Sequence, residues 1–293
     1  MRHRRADMDQ AHLIKKLRTE RGYTQKQLCE GISSRTTLSS FENRGTELSS
    51  GILFQYLDRM NLRVEEYQLL LEDQEISAKR RLADQFVKEY YTGAFTPSLQ
   101  AEIWQAYLES HDFYFYILWF ETKTILAYKN NHFDAKKYEA EITKICDYLF
   151  KVEVWQHFEL TTFMNLMFAF SDEMILALFD SSKETLTKNA TNPYYTSLMT
   201  TFFINGIILG FQRKNDHILV QFLSGLQAVA KKPKYMYAKM MATYFEKLLQ
   251  ARNAKKAATV DFTEFYAGLN VFGMSEKAQE LQEFYEEIIG ENS

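Results

Sequence analysis

Residues 32–45 read ISSRTTLSSFENRG, and whether this stretch is a helix that enters a groove of DNA or a polar turn ahead of a helical domain decides how the whole chain is read. Ser34 suits the N-cap of a helix, where its hydroxyl accepts one of the unpaired N–H groups of the first turn. On that helix Leu38 and Phe41 stand three apart and face inward. Arg35, Thr36, Ser39, Ser40 and Asn43 are left on the other sides, with Arg44 at the end. Just upstream, in GYTQKQLCEG (22–31), Thr24 followed three residues later by Gln27 forms a capping box that starts a helix at Gln25. Gly31 ends it.

The motif sits in a basic head. Residues 1–44 hold ten Lys or Arg against five Asp or Glu, whereas the 293-residue chain has a net charge of −3. That pattern suits local binding of nucleic acid better than a chain coated in cations. Hydrophobic residues make up 46% of the sequence, with 23 Phe and 18 Tyr, so the chain is globular and its core or groove is rich in rings.

Apolar residues recur at helical spacing throughout, as in Tyr138, Ile142, Ile145 and Leu149, and alternating β-branched runs are missing. The sequence predicts an all-α protein. Residues 8–72 break into five short helical segments at Gly22-Tyr23, Gly31-Ile32, Arg44-Gly45-Thr46 and Asn61-Leu62. A linker is expected near 70–76, which divides the chain into a small DNA-binding domain, 1–72, and a larger helical domain, 73–293. Pro97, Pro193 and Pro233 each precede a long periodic stretch, where a first helical turn tolerates proline. Beyond Pro97 the helices run about 15–20 residues with short connections, as stacked helical hairpins do. TTFMNLMFAF (161–170) aligned with TFFINGIILG (201–210) superposes Asn165 on Asn205, and Pro193 and Pro233 are also forty apart. The repeat is degenerate, since the next partners are Ile125 and Phe245.

Enzymatic and metal chemistry find no support. The six histidines show no spacing for a zinc site, and neither a glycine-rich phosphate loop nor a nucleophile elbow is present; no cofactor is expected. Cys29 and Cys146 are too few for a disulfide framework, which suits a reducing cytoplasm, and Cys29 reads as inert core before it reads as a redox switch. No window predicts a membrane span. The start MRHRRADMDQ lacks the apolar region of a secretory signal; residues 2–7 fit no element, which leaves Met1 and Met8 as alternative starts.

The stretch around 24–43 resembles the Xre/Cro-type helix-turn-helix: TQ opens its first helix, Cys29 is the small residue inside it, and LSSFEN matches the ending. The resemblance implies that Arg35, Thr36 and Ser40 meet base edges, with the Arg35 fork able to read guanine O6 and N7. Ser34, Ser39, Asn43 and Arg44 complete the expected DNA-facing set, and Gln25, at the positive end of its helix, holds a phosphate. Arg18 and Glu42 match the buried ion pair that fixes this fold. EGISS is about one residue shorter than the usual turn, so Ser33 and Ser34 are alternative registers.

DYLFKVEVWQHFEL (147–160), with FENRGTELSSGILFQYLDRMNLRVEEY (41–67), is similar to the Rgg family of regulators along the whole chain. That similarity implies a tetratricopeptide-like second domain that dimerises and binds a short imported peptide: a cytoplasmic pheromone receptor controlling transcription. Asn165 and Asn205, amides in otherwise apolar helices, can clamp a peptide main chain, or satisfy helix packing in the core. Tyr235 and Tyr237 are candidates for the rim of the groove. The helices around Phe262–Ile289 are candidates for the dimer contact. Two alternatives stay open: a DNA-binding regulator answering to a metabolite or protein partner, and a helical-repeat adaptor whose small domain only tethers. Steep salt dependence of DNA binding separates the adaptor from the regulators.

Overall fold

Among residues 2–72, 77–190, 192–232, 234–253 and 260–290, which the computed structural model describes, all regular structure is helical. The chain divides into two compact units, Met1–Gln85 and Phe86–Ser293. The linker expected near 70–76 falls largely on residues outside the described ones.

Five helices open the chain: α1 (Arg2–Glu20), α2 (Gln25–Cys29), α3 (Arg35–Arg44), α4 (Ser50–Arg59) and α5 (Val64–Glu72). Residues 2–7, expected to lie outside any element, continue α1 instead; no glycine or proline interrupts the run from Arg2 to Glu20, so nothing stops the helix. Each later boundary has a local chemical cause. Thr24 and Gln27 cap α2 reciprocally, and Ser34 accepts the Thr37 N–H at 3.0 Å to start α3. Ser33 is thereby excluded as the cap, and its hydroxyl pairs with that of Tyr56. Gly45 ends α3 at φ 63°, ψ 36°, a left-handed conformation that costs a residue without Cβ little. Ile14, Leu28, Leu38, Phe41, Tyr56 and Leu57 form the core of this unit.

α6 (Ala78–Thr92) leads into α7 (Pro97–Ser110), with Pro97 in its first turn behind the cap Thr96, and α8 (Phe113–Lys129). Then follow α9 (Glu139–Lys151), α10 (His157–Leu166), α11 (Asp172–Ala190), α12 (Thr196–Gln212), α13 (Asp216–Ala230), α14 (Met236–Asn253), α15 (Thr263–Val271) and α16 (Ser275–Gly290). Pro193 lies in the turn before α12; Pro233 lies outside the described residues. Helices pack on their second neighbours as well as their first: α8 on α10, α10 on α12, and α9 on α11, α11 on α13. This is the arrangement of stacked hairpins, with alternate helices forming two layers.

α12 and α13 interlock through glycines. A Cβ on Gly206 would stand 1.9 Å from the Phe222 ring and one on Gly225 2.0 Å from the Phe203 ring, so each glycine makes room for a phenylalanine of the other helix. At Gly210 the obstacle is the Leu219 backbone, 2.9 Å away. The close approach lets a continuous aromatic core form behind α10 and α12, with Phe163, Phe202 and Phe222 in ring contact.

Candidate nucleic-acid interface and ligand groove

α3 is fixed from behind by a buried ion pair. Arg18 Nε and Nη2 donate to the two carboxylate oxygens of Glu42 at 2.6 and 2.8 Å, and Nη1 donates to the Tyr23 carbonyl at 2.7 Å. Both side chains are buried, so the fork is a two-point clamp between α1 and α3 in a low-dielectric site. Gln25, expected at a phosphate, stands in the first turn of α2 and gives its side-chain Nε2–H to Glu42 Oε2 at 2.8 Å.

With Leu38, Phe41 and Glu42 turned inward, the remaining face of α3 brings Arg35, Thr36, Ser39, Ser40, Asn43 and Arg44 together around one open, polar recess of about 470 Å³. Arg35 and Arg44 are exposed and have no ion-pair partner among the described residues. Asn43 is tied locally: its Nδ2 donates to Ser39 O and Oγ, and its Oδ1 accepts from Lys15 Nζ at 2.9 Å. Ser34 is engaged as the cap. The surface thus offers two cations and short hydroxyls from a single helix, groups suited to phosphates and base edges.

In the second unit a groove of about 600 Å³ runs along α8, α10 and α12, with α6 as a further wall. α10 is held at both ends. Gln156 and Glu159 cap each other before its first turn; Tyr148 donates to Glu159 at 2.7 Å, and Tyr195 to Gln156 at 2.7 Å. Trp155, a buried residue of the DYLFKVEVWQHFEL segment, donates its indole N–H to Leu149 O at 3.0 Å and fixes the turn from α9. At the far end Arg213 donates to the Phe168 and Phe170 carbonyls and to Asp172.

So positioned, α10 and its neighbour α12 bring Asn165 and Asn205 to the same groove, half-buried among Met164, Phe168, Ile208 and Leu209. The Asn165 amide donates to Glu121 Oε1 of α8 at 2.9 Å; the Asn205 amide has no hydrogen-bond partner among the described residues. Burial pushes the Glu121 carboxyl up to about 7, against the opposing effect of the Asn165 bond. Tyr235 and Tyr237, the expected rim, sit just before and at the start of α14 and do not line this groove. Its aromatic wall comes from α6 instead, through Phe86, Tyr90 and Tyr91, with Tyr128 stacked on Phe168 at 4.3 Å and Lys129 Nζ 4.5 Å from the Tyr90 ring. Sequence reasoning missed that wall because pairing of distant helices is not written locally. Glu121 left a signal: a carboxylate inside FYFYILWFETK (113–123) is as anomalous as an asparagine inside an apolar helix. No cluster of metal-binding side chains occurs among the described residues, and none of their helices is long and apolar enough to cross a membrane.

This architecture defines the class: a helix-turn-helix unit joined to a unit of stacked helical hairpins. A helix-turn-helix family model matches residues 14–67, and the model of the HTH-type transcriptional regulator Rgg C-terminal domain matches residues 98–283. The latter spans well over half of the chain, which belongs to the Rgg family of helix-turn-helix transcription regulators. A search of curated proteins gives no match. Among solved structures, a transcriptional-regulator structure from Listeria monocytogenes EGD-e is similar with a TM-score of 0.79 and 16% identity, covering 97% of this chain and 98% of that one. The SHP pheromone receptor Rgg2 of Streptococcus dysgalactiae follows at 0.72 and 17%, covering 95% and 99%. PrgX in complex with cCF10 gives 0.70 and 12%, covering 98% and 94%.

Proposed function

We propose that this regulator is a cytoplasmic homodimer that reads an operator with the exposed face of α3 and senses a short imported peptide in the groove of its repeat unit. The observation that carries the reading is the groove itself, where two amides on adjacent helices of equivalent repeat position face an aromatic and aliphatic channel. An extended peptide needs partners for its own N–H and C=O groups, and asparagine amides supply both kinds, while the rings select apolar side chains. The similar Rgg2 is a pheromone receptor, and the similar PrgX was solved with cCF10, which supports the assignment.

In this reading residues 1–72 are the DNA reader and 73–293 the sensor. Arg35, Thr36 and Ser40 meet base edges; Ser39, Asn43, Arg44 and the N-termini at Gln25 and Ser34 address the backbone. A single reader buries too little surface for strong specific binding, so two copies engage two half-sites a helical turn or more apart. Peptide binding shifts the arrangement of the two readers, with reciprocal coupling between the ligands. The test is calorimetric titration of the full chain with short apolar peptides, alongside Asn165→Ala and Asn205→Ala. Saturable binding weakened in both variants is expected. Binding unchanged by either substitution refutes the groove, and none at all to a folded chain moves the sensor towards a metabolite or protein partner.

A further inference from the structure

Glu121 stands in the middle of α8, the helix FYFYILWFETKTILAYK. Its side chain is 5% exposed, and no cation pairs with it among the described residues. Burial and the hydrogen bond from Asn165 are the two influences on its carboxyl; no charged group of α7 or α10, the helices packed against α8, takes part. A buried carboxylate without a cation is costly, and an apolar residue of similar volume would pack there more stably. What the carboxylate does is hold one atom of the groove, Asn165 Nδ2, at 2.9 Å.

The repeat supplies a comparison within the same molecule. Asn205 is the equivalent amide forty residues on, and the residue standing to it as Glu121 stands to Asn165, forty-four positions earlier, is Thr161. Thr161 engages His157 instead, at 3.4 Å. One groove amide is therefore oriented by a carboxylate and the other is not. An asparagine amide carries an acceptor oxygen and two N–H donors on one nitrogen; with one Nδ2 N–H held by Glu121 the amide cannot flip without losing that bond, so Oδ1 is its fixed acceptor for a ligand.

We propose that Glu121 is a positioning residue of the groove: by accepting from Asn165 Nδ2 it fixes that amide with its carbonyl oxygen offered to the ligand, so that a bound peptide places a backbone N–H at this point. Asn205, unpartnered, adapts to either polarity. Because N–H and C=O alternate along an extended strand, one fixed acceptor sets the register of the peptide. The inference rests on the peptide reading of the groove, and its test separates the two.

The first arm needs no ligand. In nitrogen-15 spectra of the full chain, the Asn165 side-chain amide, assigned by its loss in Asn165→Ala, is expected to follow Glu121 ionisation and to lose that response in both Glu121→Gln and Glu121→Leu. A resonance indifferent to both substitutions overturns the positioning role. The second arm uses an apolar octapeptide selected on the wild-type chain from a displayed library, with each backbone N–H methylated in turn. Glu121→Gln, which keeps an acceptor, is expected to bind it within about threefold of wild type, and Glu121→Leu about tenfold more weakly, as loss of one hydrogen bond implies, while unfolding at a higher temperature at pH 8 because no carboxylate is then buried. One methylated position is expected to weaken binding to wild type and not to Glu121→Leu. Full affinity in Glu121→Leu overturns the proposal; a selection that yields no binder overturns the peptide reading and leaves the link between Glu121 and Asn165 to the resonance.

Discussion

Replacing Glu121 by glutamine changes the pH dependence of stability in a direction the structure dictates. Burial raises the carboxyl from an ordinary value of 4.5 to about 7 in the folded chain. Below about 4.5 the group is neutral in both states and contributes no loss. Between about 4.5 and 7 the folded state keeps a proton that the unfolded state has released, so stability falls as pH rises, by about 1.4 kcal/mol per unit. Above about 7 the loss is complete, at about 3 kcal/mol. The glutamine side chain of the Glu121→Gln variant cannot titrate, so the stability difference between variant and wild type should grow by that amount from pH 4.5 to pH 8 in the variant's favour. Trp104, Trp119 and Trp155 are the three tryptophans of the chain and all lie in the second unit. Urea unfolding followed by tryptophan fluorescence therefore reports that unit without interference from the helix-turn-helix. A difference that stays constant across this pH range would refute the argument, because it would mean that Glu121 ionises in the folded chain as easily as in water.

Further expectations concern the reader and the interlock. Arg35→Ala should relax preference at one base position and cost about 1–3 kcal/mol, whereas Gln25→Ala should weaken all operators alike, as electrophoretic competition with operator variants would measure; equal binding of every operator variant by Arg35→Ala and its parent would place the reading helix elsewhere. Arg18→Ala leaves Glu42 buried without its partner, which should cost about 3–5 kcal/mol and melt the first unit, visible by circular dichroism as loss of helix. Gly206→Ala must displace the Phe222 ring, an overpacking cost of about 1–3 kcal/mol against a helix-propensity gain of about 1 kcal/mol. Gly268→Ala in α15, where a Cβ meets nothing within 4 Å, should show the gain alone; denaturant midpoints that rise equally in both would refute the interlock.

The reader was legible because its determinants are local. A capping box spans three residues, an N-cap one turn, and a left-handed glycine a single position, so Thr24, Ser34 and Gly45 write their boundaries into the chain. Asn165 and Asn205 were legible because an amide in an apolar helix is anomalous wherever it folds. Start and register were less so: residues 2–7 carry no apolar stripe, yet helix continues through them. The rim tyrosines illustrate the harder problem. Tyr235 and Tyr237 precede and open a helix, as the pattern said, but which helix walls a groove depends on second-neighbour packing that no window of sequence contains.

By itself the sequence determined an all-α chain, a helix-turn-helix with its outward residues, and a repeat that sets two amides in register, because helix periodicity and capping are properties of neighbours along the chain. Only the tertiary structure decided that α6 supplies the aromatic wall, that Gly206 and Gly225 admit each other's phenylalanines, and that Glu121 reaches Asn165 across forty-four residues. These contacts join positions whose proximity follows from how helices stack, and their energies depend on burial, which exists only once the helices have met.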